Sequence, residues 1–426
     1  MSVTEAPAPE ALPEVHIVPP TPRLVKVLVG MGVFALVVFG WLTPAGEQVT
    51  FQLTLGGEAL AIPDVTLPAK LSAIVFSAIA LLAALGAWAA SRKEKSLYVY
   101  TITFGIFFVL GFLSWAVAGA TINLVGLLQG SLLLAVPLVF GAMSGVLCER
   151  AGVINLGIEG QLLTGAFMAA VVASLTQNAY LGLLAAPLGG LFIAFLLAVF
   201  AIKYWVDQVI LGVVLNVLAV GLTSFFYSRL LAPNQTTWNS PPTFSPIAIP
   251  VLSDIPIIGP ILFNQNIVVY LMYVIVIVVN IALFRTKWGL RVRAVGEHPT
   301  AADTVGIRVN SVRFRNVLLG GLVAGLGGAF FTVASVGAFG KEMTAGKGFI
   351  ALAAVIFGRW KPLGALGAAL FFGFADNLQS VLSIIGTPIP SEFMLMTPYL
   401  ATLLAVAGLV GKVRAPAADG VPYKKS

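Results

Sequence analysis

Long apolar runs recur along the chain, and short polar segments separate them. A helix needs about 20 apolar residues to cross the hydrocarbon core of a bilayer. Runs of about this length occur at residues 24–42, 70–90, 97–118, 122–147, 153–176, 180–202, 208–230, 266–284, 316–337, 363–385 and 394–411. A further run, 349–358, is about half as long, so both a crossing and a re-entrant helix stay open for it. The pattern predicts an all-α polytopic bundle of about 11–12 transmembrane helices.

The segments between and around these runs have distinct compositions. Residues 1–22 are rich in Pro, Glu and Ala and have no apolar face, which predicts a disordered tail. Residues 43–69 alternate polar and apolar positions, which predicts an external loop with a small hairpin. Residues 231–265 contain seven prolines and no Lys or Arg, which favours an extended outer cap. Residues 412–426 are interpreted as a short cytoplasmic tail.

The composition supports a membrane protein and argues against several other classes. Hydrophobic residues make up 59% of the chain and charged residues 10%, whereas soluble domains carry about 25% charged residues. One Cys and two His argue against a disulfide framework and a metal centre. No phosphate-binding loop is present, because Lys341 stands where the first glycine before Gly346-Lys347 should be. We therefore expect no enzyme activity, no cofactor and no nucleic-acid partner.

Lysine and arginine positions predict the orientation of the helices. We place the N-terminus in the cytoplasm, alternate sides and count 349–358 as a crossing. Of 24 Lys and Arg, all then lie on the cytoplasmic side except Lys70, Arg229, Lys341 and Lys347. Cytoplasmic loops of membrane proteins carry such an excess of basic residues. Both termini are accordingly expected to be cytoplasmic, in a multi-pass protein of the plasma or inner membrane.

One predicted cytoplasmic loop, residues 285–315, contains the elements of a capped mini-helix. Thr300 is placed as its N-cap, with Asp303 at the third helical position, and Gly306 is placed to end it. Ala301 and Ala302 would give this helix a surface that a partner can approach closely. Basic charge alone serves topology and needs no such shape, so we interpret the loop as a docking element, with a purely topological role as the alternative.

Polar side chains inside the apolar runs are the candidate pathway residues. They are Asn155, Glu159, Gln161, Asn216, Asp376 and Asn377. Two roles are open for them: lining a translocation pathway, or hydrogen bonding between helices, with Glu159 protonated in the second case. We expect no Lys or Arg deep in the membrane within the apolar runs, which favours a neutral polyhydroxyl or heterocyclic substrate.

Four closely spaced glycines predict tight helix packing. Gly321 and Gly325 form a G-x-x-x-G motif, and Gly327 and Gly328 follow it. A helix face without side chains lets a neighbouring backbone approach closely. Packing within the bundle is the main interpretation, and a contact between subunits is the alternative.

Four motifs together resemble a known family. They are "ERAGVINLGIEGQLLTGAF" (149–167), "GLRVRAVGEHPTAADTVGIRV" (289–309), "GGLVAGLGGAF" (320–330) and "GKGFIALAAVIFGRWKPLGALGAALFFGFADNL" (346–378). In this order they resemble the permease subunits of bacterial ABC importers, within the ribose and branched-chain amino acid permease superfamily and in its nucleoside-type branch. The resemblance covers residues 120–411. Residues 23–119 lie outside it and are interpreted as an N-terminal extension of about three helices.

The resemblance implies partners and a mechanism. Such permeases have about ten transmembrane helices or fewer. They work as dimers, most often with a second, related permease and otherwise with a second copy. They use a cytoplasmic ATP-binding cassette ATPase and an extracellular substrate-binding lipoprotein, in contact with membrane lipid. The coupling element of the family would fall on Glu297, Pro299, Ala301, Ala302 and Gly306.

Three functions are therefore weighed. The leading one is the nucleoside pathway of an ATP-driven importer, in which this chain hydrolyses nothing itself. The first alternative keeps this mechanism for ribose or another monosaccharide. The second alternative is an ion-coupled secondary transporter, with Glu159 and Asp376 as proton carriers.

Overall fold

The computed structural model describes residues 23–56, 62–387, Met396 and 414–424. Within these residues, ten helices are long and apolar enough to cross a membrane. This confirms the prediction of an all-α polytopic membrane fold. The tail 1–22 and the apolar run 394–411, apart from Met396, lie outside the described residues.

The chain forms two compact units, of which the first comprises, among the described residues, 23–48 and 67–119. Its helices are α1 (Arg23–Leu42), α2 (Ala69–Arg92) and α3 (Tyr98–Ala116). Aromatic packing joins α1 to α3, since the Phe39 ring lies 5.7 Å from the Phe108 ring and stacks on Trp115 at 5.4 Å. Gly111 of α3 faces Ser77 of α2, where a Cβ would crowd the serine hydroxyl. These contacts make the unit a three-helix bundle.

The second unit comprises the described residues between 49 and 66 and from 120 onward. Its helices are α4 (Leu124–Glu149), α5 (Ile158–Thr176), α6 (Ala179–Ala198), α7 (Gln208–Phe226), α8 (Gln235–Trp238), α9 (Ile267–Arg285), α10 (Lys287–Glu297), α11 (Pro299–Thr304), α12 (Val309–Phe331), α13 (Lys347–Phe357) and α14 (Pro362–Ile385). The π-helical turns Val199–Lys203, Tyr227–Leu231 and Thr332–Val336 extend α6, α7 and α12, and a further one lies at Gly259–Phe263. The main hydrophobic core surrounds α4, with side chains from α9, α12, α13 and α14.

Short strands occupy the loops predicted to lie outside. They are β1 (Gln48–Gln52), β2 (Val65–Pro68), β3 (Thr121–Asn123), β4 (Ile247–Ala248) and β5 (Asn264–Gln265). Strand β1 lies between β2 and β3 and pairs with β3 in parallel, with Phe51 opposite Ile122. Residues 43–69 therefore contribute two neighbouring strands to a three-stranded sheet, and the third strand takes the first residues of the run 122–147. Asn123 then caps α4 by accepting from the Gly126 amide at 2.7 Å.

Glycines bring α5, α6 and α12 into backbone contact. A Cβ on Gly190 would overlap the Gly321 carbonyl oxygen, and one on Gly165 would overlap Gly325. Gly327 faces Phe140 of α4, and Gly328 faces the Leu162 carbonyl of α5. Because a methyl group at any of these positions would collide with a neighbouring helix, glycine permits the close crossings. All four predicted packing glycines therefore contact other helices of this same chain.

Residues 337–361 connect opposite ends of the second unit. The amide of Phe339 donates to Asn239 (2.6 Å) in the proline-rich segment 231–265. At the other end, Arg150 donates to the Trp360 carbonyl at 2.8 Å. Within this segment, residues 337–346 form no regular helix, and the 11-residue α13 follows them. The run 349–358 is therefore part of a segment that joins these two ends and is helical over less than half of its length. We call the end with Arg150 the basic end.

Candidate translocation site

A cavity of about 410 Å³ opens beside α5, α7 and the residues that precede α13. We call it the Glu159 cavity. Its lining comprises Glu159, Val213, Asn216, Val217, Val220, Glu342, Thr344, Ala345, Gly346 and Phe349. Non-helical backbone inside a membrane bundle occurs where it is buried or lines a cavity. The segment before α13 follows this rule, and it supplies four of the ten lining residues.

Glu159 ties α5 to the start of α13. Its carboxylate accepts from the Thr344 hydroxyl (2.6 Å) and from the amides of Gly346 (2.8 Å) and Gly348 (2.6 Å). The first amides of a helix have no partner within it and carry partial positive charge. Glu159 therefore serves as a helix cap supplied by another helix. Both carboxylate oxygens therefore accept hydrogen bonds from groups of this chain.

Asn216 is the other predicted residue on this cavity, and it is also engaged. Its side chain accepts from the Gly160 amide (2.9 Å) and donates to the Leu156 carbonyl (2.9 Å). Both bonds join α7 to the beginning of α5. The side chain is 6% exposed. Asn216 thus fixes the wall of the cavity and presents little polar surface to its interior.

Asn155 and Gln161 lie away from the cavity, in a closed cluster. Their amide groups exchange two hydrogen bonds of 3.1 Å, and Ser144 of α4 contacts both side chains. Neither amide side chain is exposed. Such complementary pairing satisfies buried amides without a ligand. Of the three polar side chains in the 155–161 motif, only Glu159 therefore reaches the cavity.

Asp376 and Asn377 point to different neighbours. The Lys347 ammonium donates to Asp376 in an ion pair whose side chains are 17% and 30% exposed. The expectation of no cation deep in the apolar segments is wrong here, because Lys347 begins α13 and meets the middle of α14. Asn377 donates to the Leu127 carbonyl at 2.7 Å and lines a second cavity of about 440 Å³, the Asn377 cavity.

The cavity contains groups that the sequence did not single out. Phe349 is 48% exposed, and Glu342 is exposed on the same cavity. An exposed ring offers a stacking surface for a planar heterocycle. A carboxylate accepts hydrogen bonds from hydroxyl or N–H groups. A positive φ at Glu342 (54°) and Ala345 (45°) marks the loop that presents the Glu342 carboxylate. Hydropathy does not reveal this loop.

The predicted mini-helix is present at the basic end as α11, but its start differs from the expectation. Pro299 is the first helical residue and His298 the N-cap, so the assignment of Thr300 as N-cap and Asp303 as its capping partner is wrong. Proline favours the first helical position because its missing N–H leaves no donor unpaired. Gly306 has φ +86°, and its amide donates to the Asp303 carbonyl, as in a helix terminator.

The two alanines of α11 face opposite ways. Ala302 is 3% exposed and packs with Val295 and Val309, whereas Ala301 is exposed. Glu297, the last residue of α10, is exposed as well. A groove of about 650 Å³ runs beside the helix. Its lining comprises Leu290, Arg291, Ala294, Val305, Gly306, Ile307, Arg308, Ser311, Val312 and Arg315. The outward surface is therefore apolar with a basic rim.

Residues 127–410 match the family described as the permease component of branched-chain amino acid transport systems. This match covers well over half of the chain and all four motifs of the sequence resemblance. The chain belongs to this permease family. The family is one of transport subunits, not enzymes, and the predicted resemblance is confirmed. The match begins at residue 127, after the three helices of the first unit.

Individual relatives agree with the family assignment. The chain is 42% identical over 314 residues to the guanosine ABC transporter permease protein NupQ of Bacillus subtilis, covering 70% of this chain and 96% of the relative. It is 40% identical over 319 residues to the nucleoside ABC transporter permease protein NupC of Lactococcus lactis, covering 71% and 99%. A putative glucose ABC transporter permease protein of Haloferax volcanii, TsgC13, is 37% identical over 60% of this chain and 77% of its own. No solved structure matches the chain.

Proposed function

We propose that this chain is the permease subunit that carries nucleosides across the plasma membrane in an ABC importer. The observation that supports it most is the 42% identity across 96% of a permease named for guanosine. The Glu159 cavity adds a chemical reason, because it combines apolar walls with one exposed ring and one exposed carboxylate. These groups suit a purine base and a ribose better than a fixed anion.

The cavity is open at one side, which fits a pathway shared with a second permease. Val213, Val217 and Phe349 on its wall are each 46–67% exposed. Apolar side chains at this exposure either face lipid or pack against a partner. Relatives in two bacteria are named in pairs, the guanosine permeases NupQ and NupP and the nucleoside permeases NupC and NupB. We propose that a related second permease closes the cavity.

The basic end is proposed to be cytoplasmic and to receive the ATPase. Its positive loops follow the usual excess of basic residues on that side. The exposed face of α11, with Ala301 and Val305, would sit in a groove of the ATPase, and α10–α11 would transmit its movement. An extracellular binding lipoprotein would deliver substrate at the proline-rich end. Alternating access then depends on movement of the helices around the Glu159 cavity.

A monosaccharide is the second candidate cargo, because a putative glucose permease is 37% identical to this chain. Exposed Phe349 serves the planar base of a nucleoside better than a non-planar sugar ring, although sugars also pack on aromatic faces. The ion-coupled alternative fits less well. Glu159 is held by three donors and Asp376 is paired with Lys347, so neither carboxylate is a free proton carrier.

The test is uptake into vesicles that contain this chain with its ATPase, second permease and binding lipoprotein. We expect ATP to drive accumulation of labelled guanosine, and unlabelled nucleosides to compete while glucose does not. Competition by glucose alone would favour the monosaccharide. Accumulation by this chain alone under a proton or sodium gradient, without ATPase, would refute the importer mechanism.

A further inference from the structure

Residues 414–424 dock along the basic end, where the sequence predicted only a short cytoplasmic tail. Proceeding along the segment, the Ala417 amide lies 3.3 Å from a carboxylate oxygen of Glu297. The next amide, of Ala418, donates to the Gly296 carbonyl at 2.9 Å. Both bonds attach the segment to the end of α10, directly before α11. We call residues 414–424 the C-terminal strap.

Arg313 of α12 binds the strap from the inside of the protein. Its side chain is 2% exposed and donates to the carbonyls of Val421 (2.7 Å) and Ala418 (3.3 Å). The Asp419 side chain of the strap lies near this guanidinium. A buried cation without partners is costly. The strap therefore supplies groups that Arg313 requires, and α12 in turn holds the strap in place.

Tyr423 connects the strap to α11 itself. Its ring packs on the small apolar cluster of Val295, Ala302 and Val309, the cluster that supports α11 from beneath. Its hydroxyl lies beside the side chain of Asp303 within α11. Lys424 lies 4.6 Å from the centre of the Trp205 ring, between α6 and α7. The strap therefore contacts α10, α11, α12 and the α6–α7 connection in eleven residues.

A six-residue helix needs such support. Isolated helices shorter than about 12–15 residues are marginal in water, so α11 depends on tertiary contacts for its shape. Its own buried contact is Ala302, a methyl group. If α11 receives force from an ATPase, a loosely held α11 would move without moving the membrane helices. The strap ties it to α12 and, through Gly296, to the end of α10.

We propose that the C-terminal strap positions the α10–α11 segment, so that movement of α11 is transmitted to the transmembrane helices. This inference rests on the proposed coupling role of α11. Tyr423 and Asp303 are then positioning residues, which act by holding α11 in place. It also assigns a function to a segment that lies after the family match, which ends at residue 410.

The experiment uses the complete importer in vesicles and measures guanosine uptake and ATP hydrolysis together. One variant ends at residue 413 and lacks the strap. A second, Tyr423→Ala, keeps the bonds from Arg313 and so preserves the fold if truncation does not. The control ends at Lys424 and retains every described strap contact. Uptake per ATP hydrolysed is the readout, because a purely structural role would not change this ratio.

We expect the truncated chain to hydrolyse ATP while its uptake per ATP falls by about tenfold, within the usual range of coupling between sites. Tyr423→Ala should lower the ratio by a smaller factor, and the control should match the full chain. An unchanged ratio in both variants would overturn the proposal, even if assembly falls. A full-length importer without ATP-driven uptake would instead refute the proposed function, and the strap's role with it.

Discussion

At the scale of single residues, several of the predicted pathway side chains join separate segments of the chain by hydrogen bonds. Glu159 holds the start of α13, Asn216 joins α7 to α5, and Asn155 pairs with Gln161. Each bond is made between groups that would otherwise be unsatisfied in an apolar interior. Glu159 is still 8% exposed at the cavity wall. A residue can therefore shape a pathway by fixing its wall without binding the substrate.

Replacing Glu159 tests this anchoring role. Glu159→Gln exchanges an acceptor for an amide that presents N–H groups to the donors of α13, so we expect a loss of about 1–3 kcal/mol in stability. The measurement is the apparent unfolding temperature of the purified chain in detergent. The control is Glu342→Gln, which changes an exposed carboxylate on the same cavity. This variant should unfold at the same temperature as the wild type. If Glu159→Gln is as stable as the wild type but transports poorly, the anchoring role is wrong.

The Lys347–Asp376 pair makes a second prediction at this scale. Neutralising one partner leaves the other charge partly buried and unpaired, so Lys347→Met and Asp376→Leu should each reduce the yield of folded protein. The double variant should recover much of it, with a coupling of about 0.5–3 kcal/mol in a double-mutant cycle. Folded yield by size exclusion and unfolding temperature measure the effect. Additive losses in the cycle would show that the two side chains do not interact.

At the scale of elements, α11 presents two alanines with opposite surroundings. Ala301→Arg places a long charged side chain on the exposed face, so we expect a folded chain whose importer has lost ATP-driven uptake. Ala302→Arg would force the same group into the buried cluster with Val295 and Val309, so the folded yield should fall instead. Ala301→Ser is the matched control and should transport normally.

This comparison separates docking from folding. Uptake by the Ala301→Arg importer at the wild-type rate would show that the exposed face of α11 does not bind the ATPase. Binding of the ATPase, measured by co-purification, should fall along with uptake in this variant.

The segment 337–361 serves the cavity and not the docking surface. Its non-helical part supplies Glu342 and Thr344 to the cavity lining.

At the scale of the whole molecule, the C-terminal strap links distant parts of the chain and makes its docking sensitive to pH. Burial raises the pKa of Asp419 from 3.8 to about 7, although Arg313 acts in the opposite direction. Glu149 is the neighbouring carboxylate that faces it. At pH values between about 4 and about 7, Asp419 therefore carries a proton in the docked strap and loses it in the free strap. Docking is therefore strongest at low pH and weakens as pH rises from about 4 to about 7, above which the loss is complete.

Amide hydrogen exchange measures this effect. Between pH 6 and pH 8 we expect protection of the Ala418 amide to fall by about tenfold after correction for intrinsic exchange, from a single proton with the cited pKa. Asp419→Asn cannot ionise and should show a flat profile over the same range. A pH-independent wild type, or an equal dependence in the variant, would show that Asp419 is not the responsible group.

Much of this protein could be predicted from its sequence because membrane insertion depends on local properties. A run of apolar residues favours lipid whatever it packs against, and this local property is enough to predict a span. Ten predicted spans are confirmed as helices among the described residues. The family motifs lie in contiguous stretches and identify the permease for the same reason. Proline and glycine likewise determined the limits of α11 locally, although the N-cap was misplaced by two residues.

Only the tertiary structure decided which polar groups meet. Glu159 and Thr344 are 185 residues apart, and Arg313 reaches Val421 across 108 residues. Hydrogen bonding depends on position and direction in three dimensions, whereas hydropathy is a sum over neighbours in the chain. The sequence therefore determined that the chain is a membrane permease with buried polar residues. The fold decided that Glu159 anchors a helix, that Lys347 pairs with Asp376, and that residues 414–424 pack beside α11.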